Sequence, residues 1–401
     1  MMRNGNSSVP KVAILTGGFD RPYAYGLSMA LGARGVRLEV VGSDEVDSPE
    51  MHTTPGLTFL NFQRGWQPTT NLAVRVTRLA GLYLRLVRHA LTSRARVFHI
   101  LWNTKVPVID RLLLMCLYKA SGKRVVLTAH NVNTAKRDGN DTWLNRLTLG
   151  VQYRLTDHIF VHTAGMREEL AREFKTALDK VTVIPFGINN AVANTDLTPE
   201  QARRTLGIGA NERILLFFGR IQPYKGLEYL VQAVEKLSSD GLSQYRLIIA
   251  GEPKKESRGY WERIQAQIKE GPIQDRVLKK LQYIADDEAE LYFKAADAAV
   301  LPYCDIYQSG VMFLSYSFGL PVIASDVGAF REEIMEGQTG FLCEPRNAVS
   351  LAHAIGEYFA SDLYKNLDTA RGFIREYAGR RYSWASVAEA TTGVYARVEE
   401  G

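Results

Sequence analysis

The sequence predicts an α/β protein with two domains, each built around a parallel sheet. Its 401 residues exceed the roughly 100–200 of a single domain. Short apolar runs alternate with amphipathic stretches along the chain, a pattern typical of strand-helix-strand units. One segment rich in turn-forming residues, 185–209, separates two such series and predicts a linker. Together these observations favour two sheets over one enlarged barrel.

Each series supplies the strands of one sheet. In the first half, strands are predicted at 11–16, 38–41, 97–101, 125–128, 159–161 and 181–184. In the second half, they are predicted at 213–218, 245–250, 277–281, 298–301 and 321–324. The predicted domains are therefore 1–188 and 189–383. A final helix, 384–401, is expected to pack on either half.

Composition and charge narrow the class of protein. With 46% hydrophobic and 23% charged residues, the chain is neither disordered nor collagen-like. A formal net charge of +6 suggests an anionic substrate or surface. Cys116, Cys304 and Cys343 show no Cys-x-x-Cys spacing, so we expect neither a disulfide framework nor a zinc site, which fits a reducing cytoplasm. The apolar run 12–15 is too short for a signal-peptide core, and any membrane contact is expected to be peripheral.

Gly17 and Gly18 follow the first predicted strand and precede a helix that begins near Tyr25. Ligands of open α/β sheets tend to bind at the carboxyl ends of strands, and a helix N-terminus favours an anion. The dinucleotide fingerprint G-x-G-x-x-G is missing, which argues against a Rossmann dehydrogenase. A tight turn that requires glycine is an equally good explanation of this pair.

His130 comes directly after the predicted strand 125–128 and Ala129. An imidazole at the carboxyl edge of a sheet could donate to a substrate oxygen or take part in proton transfer. A buried histidine with a structural role is the alternative explanation.

A loop with two cations follows a strong predicted strand of the second half. It contains Gly219, Arg220, Lys225 and Gly226 and leads into a predicted helix at 227–237. The planar fork of an arginine and the mobile charge of a lysine, beside helix amides, suit a diphosphate. The Walker pattern is missing, so a kinase-type phosphate loop is excluded. The alternative is a solvated basic turn.

A second candidate anion site lies where a short helix begins after Gln308. Ser309 is a predicted N-cap, and the free amides of Gly310, Val311 and Met312 would form a cradle for an anion. The alternative is an ordinary capped helix that binds nothing.

These motifs, in this order, resemble a known family. Strand-GR-x4-KG-helix, a Leu-Pro-Tyr loop, a short helix and the run GLPVIASDVG are similar to the C-terminal half of GT-B glycosyltransferases of family four. The resemblance implies two Rossmann-like domains that face a cleft. Domain 1–188 would bind the acceptor, and domain 189–383 would bind a nucleotide-diphosphate sugar. The final helix of the family commonly crosses back to the first domain.

The resemblance also implies roles for individual residues. Arg220 and Lys225 match the Arg and Lys that bind the diphosphate in the family. His130 matches a histidine near the transferred sugar, and Gly17 with Gly18 matches the loop near the phosphates and the acceptor.

The chain departs from the family at its pair of glutamates. These should fall near Ile306 and Leu314, and neither residue is acidic. A leucine cannot accept a hydrogen bond from the nucleotide ribose. Gln308 or Asp305 could contact sugar hydroxyls instead, and the stereochemistry of transfer is left open.

The predicted activity is therefore transfer of a hexosyl group from a nucleotide sugar to a glycan or lipid-linked acceptor, as in polysaccharide synthesis. The family type uses side chains and helix ends in place of a metal, and no cofactor is expected. An inverting reaction would need a base, for which Asp20 and His130 are the candidates. The alternatives are a sugar-nucleotide epimerase, a phosphorylase and a non-catalytic relative. Nucleic-acid binding is not expected.

A basic amphipathic helix is predicted within 75–96. Arg75, Arg78, Arg85 and Arg88 recur at helical spacing beside an apolar face. Such a helix can rest on anionic lipid, which predicts a cytoplasmic protein with possible peripheral contact to the inner face of the plasma membrane. The alternative is a helix packed on the first sheet with its arginines in solvent.

Overall fold

The computed structural model describes residues 11–67, 69–188, 192, 194–209, 211–241 and 244–400. The chain divides into a first unit, Met1–Gly187 with Tyr382–Gly401, and a second unit, Ile188–Arg381. Each unit contains one sheet of parallel strands flanked by helices, so the predicted α/β class is confirmed. Asn189 and Asn190 of the predicted linker lie outside the described residues.

The sheet of the first unit has seven strands in the order β3-β2-β1-β4-β5-β6-β7. Its strands are β1 Lys11–Leu15, β2 Arg37–Ser43, β3 Leu57–Gln63, β4 Val97–Ile100, β5 Arg124–Thr128, β6 His158–Val161 and β7 Val181–Val183. Its helices are α1 Arg21–Ala33, α2 Pro49–Thr53, α3 Leu72–Thr92, α4 Pro107–Ile109, α5 Met115–Ala120, α6 Thr134–Arg137, α7 Trp143–Leu155 and α8 Ala164–Phe174, with a π-helix at Asp110–Leu114 and a 3-10 turn at Leu178–Lys180. In β1, Ile14 lies opposite Val40 and His99, and all three are buried. The central strand is therefore apolar because helices cover both faces of the sheet.

The sheet of the second unit has six strands in the order β10-β9-β8-β11-β12-β13. Its strands are β8 Arg213–Phe218, β9 Tyr245–Ala250, β10 Val277–Lys280, β11 Ala298–Leu301, β12 Val322–Ser325 and β13 Gly340–Cys343. Its helices are α9 Pro199–Thr205, α10 Leu227–Ser239, α11 Arg258–Glu270, α12 Asp286–Ala295, α13 Gly310–Ser317, α14 Phe330–Glu333, α15 Ala348–Ala360, α16 Asp362–Lys365 and α17 Leu367–Arg381, with 3-10 turns at Pro223–Lys225, Lys255–Ser257 and Gln274–Arg276.

The last described helix, α18 Trp384–Glu400, belongs to the first unit. Its buried face consists of Trp384, Val387, Ala388, Thr391, Val394 and Tyr395. The Tyr395 hydroxyl lies 2.6 Å from Nδ1 of His99 in β4. A Cβ atom added to Gly26 of α1 would lie 2.0 Å from Cε2 of Trp384, so the indole occupies the space that the glycine leaves open. Ring packing and this hydrogen bond fix α18 to the first unit.

The predicted strands differ from the observed ones by one or two residues at their ends, and 213–218, 245–250 and 298–301 match the observed bounds. β3 and β13 were not predicted. The helix expected near Tyr25 begins earlier, at Arg21, and the basic helix ends at Thr92 rather than at residue 96.

Candidate functional site

Gly17 and Gly18 form the turn between β1 and α1, with φ angles of 67° and 86°. A Cβ atom on Gly17 would lie 2.7 Å from the carbonyl oxygen of Asn103, and one on Gly18 would lie 2.2 Å from Nε2 of Gln63. The Gln63 amide also donates to the carbonyl of Gly17 over 3.0 Å. The turn and the packing within the first unit therefore require both glycines, and their contact with a phosphate or an acceptor stays a prediction.

Asp20 is the N-cap of α1 and has a left-handed backbone, with φ at 55°. Its carboxylate accepts a hydrogen bond from the backbone N–H of Tyr23 over 3.4 Å. Burial raises the pKa of Asp20 to about 6, against the opposing effect of this bond. At neutral pH the side chain is mostly ionised, which is the state that a general base requires.

His130 lies within a cluster of rings at the carboxyl edge of the first sheet. Its ring stacks on Trp102 with a centroid distance of 4.3 Å and an interplanar angle of 8°. Tyr23 meets the same ring edge-on at 4.5 Å, and Nε2 of His162 lies 3.1 Å from Nδ1 of His130. Trp102 and His162 were missed in the sequence. Their positions in the sequence could have indicated them, because Trp102 follows β4 and His162 follows β6, the two strands that flank β5.

Burial lowers the pKa of His130 well below its usual value, and the neighbouring His162 adds to the effect. The imidazole is therefore neutral at physiological pH. Its Nε2 is buried and makes no hydrogen bond with any group in the part of the chain that the structure describes. His130 also lines a pocket of about 130 Å³ together with Asn103, Gln152 and Arg111. His130 thus combines a buried ring nitrogen that has no partner among the described residues with a place in the lining of a small pocket.

The second unit brings several of its predicted donor-binding residues together after β8. A Cβ atom on Gly219 would lie 3.1 Å from Nζ of Lys225 and 3.7 Å from Cγ2 of Val311. Lys225 is buried, and its ammonium lies 5.6 Å from the ring centre of Tyr303. Arg220 is exposed and makes no hydrogen bond or ion pair with any residue that the structure describes. The loop after β8 and the start of α13 therefore form one cationic surface.

Close backbone packing holds this loop against the loop that follows β11. A Cβ atom on Gly226 would lie 2.1 Å from the carbonyl oxygen of Pro302. The backbone N–H of Cys304 donates to the carbonyl of Tyr224 over 2.7 Å. Gly226 has a φ of 64° and precedes α10, whose N-cap carries no side-chain hydrogen bond. The geometry leaves the first amides of α10 without a side-chain cap.

The N-terminus of α13 differs in two details from the prediction. Ser309 occupies the predicted N-cap position, but its side chain makes no capping hydrogen bond. The N–H of Met312 donates to the carbonyl of Ser309 over 3.1 Å and is not free. The helix-start geometry satisfies this amide through the backbone itself. Gly310 is exposed, and the amide of Gln308 is buried with both polar atoms unpartnered among the described residues.

The positions of the expected glutamates hold buried apolar side chains. Ile306 is 7% exposed and Leu314 is 6% exposed. The carbonyl of Ile306 would lie 2.0 Å from a Cβ atom on Gly328, so this segment packs tightly on the loop after β12. Gln308 and exposed Asp305 stay the predicted sources of hydrogen bonds to a ligand at this point.

Within the described residues, no group of three or more His, Cys, Asp or Glu side chains is placed to hold a metal ion. Whether the reaction depends on a metal stays a prediction.

Helix α3 carries the four predicted arginines. Arg78 and Arg85 donate to the carbonyls of Gln67 and Phe62 over 2.7 and 2.6 Å, whereas Arg75 and Arg88 are exposed without such partners among the described residues. Four apolar side chains of the helix are also exposed by more than half, Leu72, Val76, Leu84 and Leu91. Leu82 and Leu86 are buried, so one face packs on the first unit. None of the described helices combines the length and the apolar character needed to cross a membrane.

Two family models match the chain. Residues 22–192 match Glycosyltransferase Family 4, and residues 212–361 match Glycosyl transferases group 1. An uncharacterised glycosyltransferase of Methanocaldococcus jannaschii is 30% identical over 58% of this chain and 57% of its own length. A D-inositol 3-phosphate glycosyltransferase of Corynebacterium diphtheriae is 28% identical over 68% of this chain and 64% of its own. The chain thus spans less than two thirds of the length of these two relatives.

Solved structures share the fold over nearly the whole chain. Sucrose-phosphate synthase from Thermosynechococcus elongatus superposes with a TM-score of 0.75 at 20% identity, over 98% of this chain and 99% of that one. HepE of Anabaena in complex with UDP-glucose also gives 0.75, at 18% identity over 96% of this chain and 99% of that one. Both sheets, the family models and these neighbours agree: the chain belongs to the group 1 glycosyltransferases and has the GT-B fold.

Proposed function

We propose that the protein transfers a hexosyl group from a nucleotide-diphosphate sugar to a glycan or lipid-linked acceptor in the synthesis of a polysaccharide or glycoconjugate. The observation that carries the proposal is the cationic surface after β8, where Gly219 lies close to both the ammonium of buried Lys225 and the side chain of Val311, and exposed Arg220 has no protein partner among the described residues. The similarity to HepE, which was solved with UDP-glucose, supports a nucleotide sugar as donor.

The residues of this surface have a definite task in such a reaction. As the glycosidic bond breaks, negative charge develops on the leaving diphosphate. Arg220 offers a planar fork of donors, Lys225 offers a point charge, and the backbone N–H groups of Gly310 and Val311 offer the positive end of α13. In this proposal, these groups neutralise the developing charge without a metal ion.

The first unit would supply the acceptor side of the reaction. Asp20 is the stronger candidate for a base, because its pKa of about 6 leaves it ionised at neutral pH and still able to take a proton. Neutral His130 is suited to orient a hydroxyl. Arg75 and Arg88 of α3, with the exposed leucines beside them, would hold the protein on the anionic inner face of the plasma membrane, near a lipid-linked acceptor.

A panel of nucleotide sugars tests this proposal. A true donor must stabilise the folded state by mass action, so it should raise the melting temperature in proportion to the logarithm of its concentration. Arg220→Ala should abolish that shift, and Arg375→Ala, which removes an exposed arginine of α17, should leave it unchanged. If no nucleotide sugar raises the melting temperature, or if Arg220→Ala shows the same rise as the wild type, the proposed donor site is wrong.

Product analysis separates the alternatives. The apolar side chains at Ile306 and Leu314 favour, as a second candidate, a relative that binds a nucleotide sugar without turnover. That protein would show the thermal shift but release no nucleoside diphosphate. An epimerase would interconvert the nucleotide sugar with no acceptor present, and mass spectrometry combined with chromatography distinguishes the two.

A further inference from the structure

Two histidines and a backbone carbonyl form a continuous hydrogen-bonded chain at the edge of the first sheet. Nδ1 of His162 lies 3.3 Å from the carbonyl oxygen of Ile184. Nε2 of the same ring lies 3.1 Å from Nδ1 of His130. This series of hydrogen bonds ends at Nε2 of His130, which is buried and has no partner among the described residues.

The carbonyl at one end determines where the protons lie. A carbonyl oxygen only accepts, so Nδ1 of His162 must carry the proton of that bond. Burial lowers the pKa of His162 to about 4, so at neutral pH its other nitrogen carries a lone pair. His130 must then donate from its Nδ1, and its own Nε2 is left as an acceptor. If Nδ1 of His162 carried no proton, its lone pair would face a lone pair of the Ile184 carbonyl oxygen.

Packing holds the ring of His130 in one orientation, so that a ring carbon does not take the place of Nδ1 or Nε2. Trp102 stacks flat against one face at 4.3 Å, and Tyr23 meets the ring edge-on at 4.5 Å. Phe186 closes a further side at 5.9 Å. Only the hydrogen bond that His130 donates to His162 selects between the two tautomers, because the packed rings accommodate either of them equally well.

We propose that His162 is a positioning residue that holds the proton of His130 on Nδ1, so that Nε2 of His130 accepts a hydrogen bond from a hydroxyl group of a bound ligand. This inference rests on the proposed glycosyl transfer, whose substrates are rich in hydroxyl groups. It replaces the expectation that His130 donates to a substrate oxygen: a phosphate oxygen, which only accepts, would find no proton at Nε2.

The tautomer can be measured without any substrate. In protein labelled with ¹⁵N-histidine, the nitrogen spectrum distinguishes a ring nitrogen that bears a proton from one that bears a lone pair. We expect Nε2 of His130 to show a lone pair at pH 7.5. In His162→Phe, which keeps an aromatic ring but offers no acceptor, the proton should move toward Nε2, the site that free histidine prefers.

Kinetics connect the tautomer with function. His162→Phe should lower the rate of nucleoside diphosphate release about 10–100-fold, as expected for loss of one hydrogen bond to a ligand. A rise in KM for the nucleotide sugar would place the hydroxyl on the sugar, and a fall in kcat at saturating donor would place it on the acceptor. His162→Gln, whose Oε1 can accept from His130, should retain more activity than His162→Phe.

His158→Phe is the matched control. His158 is a buried histidine of β6 that bonds Thr182 through Nε2 and makes no hydrogen bond to His130. This variant should lose stability and leave the His130 tautomer unchanged. A proton on Nε2 of His130 in the wild type, or unaltered tautomer and turnover in His162→Phe, would overturn the inference. A wild type with the expected tautomer and no turnover of any nucleotide sugar would instead contradict the proposed function.

Discussion

The ammonium group of Lys225 lies so close to Gly219 that a Cβ atom at that position would be 3.1 Å from Nζ. Gly219 also has a φ of 92°, which other residues rarely adopt. The glycine therefore serves both the turn after β8 and the placement of a buried cation. The turn after β8 and the position of the Lys225 ammonium both require that residue 219 has no side chain.

Replacing Lys225 by methionine should weaken the binding of nucleoside diphosphates. The change keeps the length of the side chain and removes a charge-assisted hydrogen bond, which is worth about 1.5–3 kcal/mol. Calorimetric titration with UDP, GDP and ADP should show a loss of about 10–100-fold for whichever of them binds. Lys279→Met, at an exposed position in β10, should bind as the wild type does. Equal affinity in Lys225→Met would remove this lysine from the donor site.

The carboxyl group of Asp20 should make stability depend on pH. Its folded pKa of about 6 lies above the unfolded value near 3.8, so the folded state holds the proton more tightly. Stability should therefore fall as the pH rises from about 4 to about 6, and the full loss should persist at higher pH. Asp20→Asn keeps a capping oxygen and tolerates the left-handed backbone. The variant should be more stable than the wild type at pH 7.5, with a free energy of unfolding about 1–2 kcal/mol higher. This difference should disappear below pH 4.

Urea denaturation at several pH values measures this effect, and Asp44→Asn provides a control of opposite sign. The backbone N–H of Gly65 donates to Asp44 over 2.7 Å and lowers its pKa, so this replacement should reduce stability above pH 4. A parallel pH dependence of the two variants would contradict the raised pKa of Asp20. Turnover should fall at least about 100-fold in Asp20→Asn, because the amide cannot take a proton.

The two strands that escaped prediction from the sequence share a physical cause. β3 and β13 are the edge strands of their sheets, and most of their middle residues are only partly buried. Their patterns, LTFLNFQ and GFLC, therefore lack the continuous apolar run that marked the central strands. Trp102 and His162 could be placed beside His130 only by someone who knew that β4 and β6 flank β5. That strand order is a property of the folded sheet and is not encoded in local sequence patterns. Spacing located Ser309 at the N-cap, but it does not encode whether the side chain makes the capping hydrogen bond.

Gly26→Ala should destabilise the first unit although alanine favours helices. The new methyl group would lie 2.0 Å from Cε2 of Trp384, so either α1 or α18 must shift. A loss of about 1–3 kcal/mol is expected for such overpacking. Gly81→Ala is the control: a Cβ atom there meets nothing within 4 Å, and the variant should gain up to about 1 kcal/mol from helix propensity. In a Trp384→Ala background the penalty of Gly26→Ala should vanish, and a penalty that persists would contradict this contact.

Charge on α3 should govern binding to anionic vesicles. Arg75→Gln with Arg88→Gln removes two cations that make no hydrogen bonds to the described residues, so the fold should be preserved. At about 1 kcal/mol per charge, partitioning onto vesicles of phosphatidylglycerol and phosphatidylcholine should fall about 30-fold. Arg34→Gln with Arg154→Gln, two exposed positions outside α3, should partition as the wild type does. Equal partitioning of the two double variants would assign no membrane role to α3.

The return of α18 to the first unit has a consequence for biosynthesis. The ribosome makes β1 through β7 first, but the partner of Gly26 is Trp384 and the partner of His99 is Tyr395. Until those residues have left the exit tunnel, the apolar groove on α1 that Trp384 fills stays open, and His99 of β4 lacks the hydroxyl of Tyr395. Nascent chains should therefore expose this groove to chaperones throughout the translation of the second unit. The first half to be synthesised is the last to be completed.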